Sequence, residues 1–170
     1  LIVETLNTEN SSNVVFGDGS KNSSLNSQQS QFIISNGYFS VAGDAQNAVF
    51  ILRGQSSDDS ETELFLDGQS ARFILEDNTS YFFNCQFIGR AENGDTAIMH
   101  VNGGAKRGNS ANSVTLLGRP HVHIIHDEIG VGDVQFSVSS SNGSLKFHAI
   151  GKVATNIRWL GKVDLSQLKY

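Results

Sequence analysis

Apolar residues recur along this chain in short runs or at every second position, and the intervals between them are filled by Gly, Asn and Ser. That spacing marks β-strands divided by turns. It predicts strands at Tyr38–Ala42, Ala48–Arg53, Glu63–Leu66, Ala71–Leu75 and Tyr81–Ile88. A second group is predicted at Ala97–Val101, Val114–Leu117, Val122–Ile125, Val134–Ser139, Ser144–Ile150 and Ile157–Val163. No segment carries an extended amphipathic helical repeat. The expected fold is all-β: an antiparallel β-sandwich, jelly-roll-like, over residues 37–170, preceded by an extended N-terminal arm over residues 1–36.

Alternation also assigns faces. Val134, Phe136 and Val138 point one way, and Leu145, Phe147 and Ala149 repeat the pattern across Ser141-Asn142-Gly143. An Asn-Gly pair supplies the left-handed backbone of a tight turn, so this is the clearest hairpin in the chain. Ile157, Trp159 and Val163 then close a sheet, with Trp159 expected in the core.

The first 35 residues read differently. Two apolar islands, Val14-Val15-Phe16 and Phe32-Ile33-Ile34, lie among Ser, Asn and Gln, and Gly17-Asp18-Gly19 faintly echoes Gly43-Asp44-Ala45 as a shaft-like repeat. Such a segment buries too little to fold alone, so it is expected to be disordered or packed on other chains.

Composition sharpens this picture. The 170 residues suit one domain and an appendage, since single domains commonly run to about 100–150 residues. Only 17% of residues are charged, so Ser, Asn, Gln, Thr and Gly must carry the surface, and eleven Phe supply bulk to the core. A net charge of −5 with no Lys/Arg cluster argues against nucleic-acid binding, which needs a basic patch. No apolar run approaches the roughly 20 residues of a membrane span, so no membrane insertion is expected. No signal peptide is seen, and the lack of an initiator Met leads us to expect a piece of a longer protein. Cys85 is the sole cysteine, is expected to be buried, and has no intrachain disulfide partner.

Gly43-Asp44-Ala45-Gln46, the VFILRG of residues 49–54 and the TELFLDG of residues 62–68 resemble a module of tailed-phage virion structural proteins, tail fibres especially. The likeness resumes over residues 141–163, with an Asn-Gly turn, the strand SLKF, a Gly and Ile157-Arg158-Trp159. The resemblance implies a non-catalytic appendage module of the virion: a homotrimer that contacts other virion proteins and attaches to host-surface glycan. The alternative setting is the capsid surface, as a decoration or cement protein. A second alternative is a glycan-degrading enzyme of the virion.

The candidate chemistry is sparse. His121 and His123 share a strand face, whereas His126 falls on the other unless a bulge intervenes. Across a threefold axis the pair would multiply to six imidazoles, an octahedral site for iron or nickel; polar strand residues or a partner-facing edge are the simpler reading, and no other cofactor is expected.

Asp58, Asp59, Glu61 and Glu63 sit in one turn. Glycoside hydrolysis needs two carboxylates facing each other across a cleft, and a solvated acidic loop, with weak calcium binding as an option, is the economical reading. The Gly-rich run Asn102–Gly108 lacks the Lys-Ser/Thr ending of a phosphate loop and reads as a mobile loop. Lys106, Arg107 and Asn109 in and beside it are the candidate glycan contacts, because binding groups concentrate on loops of rigid β scaffolds.

Overall fold

The computed structural model describes residues 3–8, 11–16, 31–132, 134–139 and 141–170. Among the described residues are twelve strands: β1 (Val3–Thr8), β2 (Ser11–Phe16), β3 (Phe32–Ile34), β4 (Ala45–Ser56), β5 (Glu61–Leu64), β6 (Phe73–Ile74), β7 (Thr79–Ala91), β8 (Thr96–Arg107), β9 (Thr115–Asp127), β10 (Val134–Ser139), β11 (Ser144–Ile150) and β12 (Ile157–Lys169). A 3-10 turn, Ala111–Ser113, precedes β9. Among the described residues no helix is long and apolar enough to cross a membrane.

The strands form two sheets, as an all-β sandwich requires. The larger runs β1-β2-β3-β4-β12-β7-β8-β9, and the smaller runs β10-β11-β5 with β6 also on β11. β12 is the spine of the large sheet, pairing antiparallel with β4 on one side and β7 on the other along almost its whole length. Of the arm, β1–β3 add to the β4 edge, while residues 9–10 and 17–30, including Gly17-Asp18-Gly19, lie outside the described residues.

Strict alternation explains the packing. Along β7 every second residue, from Thr79 to Ala91, is buried. These residues meet the inner face of the small sheet, where Val134, Leu145, Phe147 and Ala149 are buried as expected; the side chains of Phe136 and Val138 lie outside the described residues. Phe83 meets Phe147 edge-on at 6.2 Å, and Phe50 stacks on Phe73 at 4.8 Å. Trp159 is buried and donates from Nε1 to Ser56 Oγ at 3.0 Å. Its ring lies on Gly89, where an added Cβ would come within 2.5 Å of Cζ3, and Phe87 lies on Gly161 in the same way. Small residues opposite large ones let the layers interdigitate without voids.

Two expected elements differ. No strand forms at residues 38–42, because the buried Asp44 carboxylate accepts the amides of Phe39, Ser40 and Val41 at 3.0, 2.7 and 2.9 Å. Those local bonds fold the backbone into a turn and leave no donors for a ladder. The Gly-rich run expected as a mobile loop is instead strand through Arg107. Its glycine at 103 lies under the Phe83 ring, so the small residue serves close packing within a strand.

Candidate functional site on the open face of the large sheet

The small sheet covers one face of β4, β12, β7 and β8, while the edge strand β9 has no buried residue. The other face presents the alternate residues of each strand, and the registers stack them in rungs, since directly opposed residues share a face. The end rung holds Gln55, Arg158, Arg90 and Thr96; the next holds Arg53, Leu160, Ile88, Ile98 and His126. Then come Ile51, Lys162, Gln86, His100 and His123, followed by Val49, Asp164, Asn84, Asn102 and His121.

This face is amphiphilic. Ile51, Phe82, Ile88, Ile125, Leu160 and Leu168 are 42–58% exposed. Between them stand amides: Asn47 Nδ2 donates to Asp164 Oδ1 at 2.6 Å, and Asn84 Oδ1 bonds His100 Nε2. At its paired positions the face carries Arg53, Arg90, Lys106, Arg158 and Lys162 against one carboxylate, Asp164, although the chain as a whole has a charge of −5. Glu92 and Glu128 stand at the rim, where Glu92 accepts from Asn156 at 3.0 Å and Glu128 from the Thr96 amide at 3.2 Å.

A bulge changes the reading of the histidines. The β8–β9 register slips between Ile98 and Met99, so Ile125 is the extra residue and His126 comes opposite Ile98. His121, His123 and His126 thus line one face of the edge strand, with His100 directly opposite His123. Among the described residues no three His, Cys, Asp or Glu side chains are arranged to hold a metal.

Lys106 and Arg107 are separated by the strand they share. Lys106 is exposed on the open face opposite Ser80 and Thr115, while Arg107 turns to the other side. There Arg107 donates to the Leu75 carbonyl and the Ser110 carbonyl and pairs with Asp77 at 2.7 Å, tying three segments together. Asn109 is exposed in the bend beyond.

Three of the four carboxylates in the acidic turn, Asp58, Glu61 and Glu63, have local partners. Asp58 accepts from the Ser60 amide and hydroxyl, and this hydroxyl, then the amide, lower its pKa. Glu61 meets His148 at 3.0 Å, and Glu63 forms a two-pronged pair with Arg72 at 2.6 and 2.8 Å. Burial pushes the Cys85 thiol far up, as befits a core residue.

The residues read in the sequence as resembling a phage module hold turns and core. Asp67 Oδ1 accepts the amides of Gln69, Ser70 and Ala71 at 2.8–3.0 Å, and Phe50, Leu52 and Leu64 are buried. The sequence matches no protein-family model and no curated protein to a significant degree.

Proposed function

We propose that this chain is a non-catalytic module of a tailed-phage virion appendage, of the tail-fibre type, that assembles as a homotrimer and attaches to host-surface glycan. The observation that carries the reading is the open face: a rigid, strand-built surface of side-chain amides, imidazoles, cations and half-exposed aliphatic groups. Amides bond sugar hydroxyls without burying charge, and aliphatic groups cover the C–H faces of a sugar ring. Weak contacts on each copy then add through a high effective concentration.

Assembly draws on a second surface. The turn clamped by Asp44 displays Tyr38, Phe39 and Val41, with Phe39 80% exposed. Apolar groups fixed on a rigid turn lose little entropy on docking, which suits contact with sister chains or other virion proteins.

The test screens the full chain against a panel of bacterial surface polysaccharides and measures its mass by light scattering. Binding without turnover, by a particle of three times 18.4 kDa, is expected. A monomer that binds none of the panel contradicts the reading, and turnover of any polysaccharide would move the assignment to a glycan-degrading enzyme. Antibody label over the virion head rather than its appendages would move it to a capsid decoration protein.

A further inference from the structure

The attachment reading leaves the class of glycan open; the distribution of cations on the open face narrows it. Arg90 and Arg158 are directly opposite each other on β7 and β12, and Arg53 lies one rung away on β4. Like charges in direct cross-strand opposition disfavour the sheet. The chain bears that arrangement without local neutralisation: among the described residues no carboxylate lies within ion-pair distance of any of the three.

The nearby carboxylates are occupied elsewhere. Asp67 is turned onto the amides of its own loop, and Glu92 accepts from Asn156. Arg53 is held in place, with Nη2 donating to the Asp67 carbonyl at 3.3 Å and its stem packed against Gly68. Arg90 donates to Thr96 Oγ1 at 3.3 Å. Around the guanidinium groups the surface offers the Gln55 amide, the Asn156 amide with the Glu92 carboxylate it donates to, and the aliphatic Ile88 and Leu160.

We infer that the Arg53–Arg90–Arg158 end of the open face binds the anionic substituent of an acidic polysaccharide, a carboxylate or a sulfate, with Ile88 and Leu160 beneath the sugar ring. Guanidinium forks match both anions with paired N–H donors, and an anion between Arg90 and Arg158 relieves their repulsion. Lys162, two rungs along β12, extends the field that draws a polyanion to this end of the sheet. This inference rests on the attachment reading and specifies its ligand.

The experiment titrates the full chain with polygalacturonate, dextran sulfate and neutral dextran by calorimetry at low ionic strength. At least one acidic polymer is expected to bind, more weakly as salt rises, and neutral dextran is not. Binding of polygalacturonate alone assigns a carboxylate site, and of dextran sulfate alone a sulfate site. The Arg90→Gln/Arg158→Gln variant is expected to lose about tenfold or more in affinity, as for a lost charged hydrogen bond. Lys146→Gln, on the small sheet, keeps full affinity. Undiminished binding by the double variant, or equal loss in Lys146→Gln, overturns the inference. Binding of neutral but not acidic polymers overturns it while sparing the attachment reading; failure of these polymers and of the wider panel contradicts both.

Discussion

The two faces of the large sheet are made by the same strands and differ in almost every other respect. On the inner face Trp159, Phe87 and Phe83 are seated against glycines and leave no room for another carbon. On the outer face Leu160, Ile88 and Ile51 remain about half exposed among amides and arginines that have no carboxylate partner among the described residues. One face is optimised for packing; the other keeps half-exposed side chains to which our proposal gives recognition. A residue's role here therefore follows from its parity along the strand more than from its type.

The largest break in that comparison should come from Trp159→Ala. It removes the biggest buried side chain and its bond to Ser56, and is expected to cost about 3–5 kcal/mol in chemical denaturation. Gly161→Val comes next. Its new carbons would press on Phe87, at about 1–3 kcal/mol, and a second change, Phe87→Leu, should recover part of the loss.

The same denaturation measurement on Leu160→Ser, one residue before Gly161 but on the other face, should show a cost of only about 1 kcal/mol, since the side chain is about half exposed. A cost matching that of Trp159→Ala would mean that the outer face is not free of the core.

The smallest effect concerns the turn at the sheet's edge and appears only in acid. The Val41 amide above all, with those of Ser40 and Phe39 and the Ser40 hydroxyl, pulls the Asp44 carboxyl down to about 2 against the upward push of burial. Its folded value lies below the ordinary carboxyl value of about 3.9. Its contribution is therefore fully present above that range and is lost as pH falls through about 2. Thermal melts of Asp44→Asn and the unaltered chain should differ at neutral pH and converge near pH 2. A gap that widened on acidification would refute the clamp.

Much of the inner face was legible in the sequence. Period-two alternation and the Asn142-Gly143 turn located β10 and β11, and Trp159 and Cys85 lie in the core as their apolar neighbours implied. The outer face was not legible, for physical reasons. Arg53, Arg90 and Arg158 are far apart in the chain and become neighbours only through the registers of β4, β7 and β12. His126 joins His121 and His123 through a bulge that no residue in that stretch announces. Glycine at 103 was ambiguous because a small residue serves a loop and a tightly packed strand equally well. Asp44 hid behind its exposed neighbours: Tyr38, Phe39 and Val41 imitate a strand, and only the carboxylate's bonds to their amides decide for a turn.

The central claim, that recognition belongs to the open face and not to the loops, is tested most directly by amide NMR of the full chain titrated with an acidic polysaccharide. Shifts should centre on Gln55, Arg90 and Arg158 and fade along β4, β7 and β12 toward the far end of the sheet. Shifts centred on residues 58–61 or 108–113, with the sheet unmoved, would contradict it.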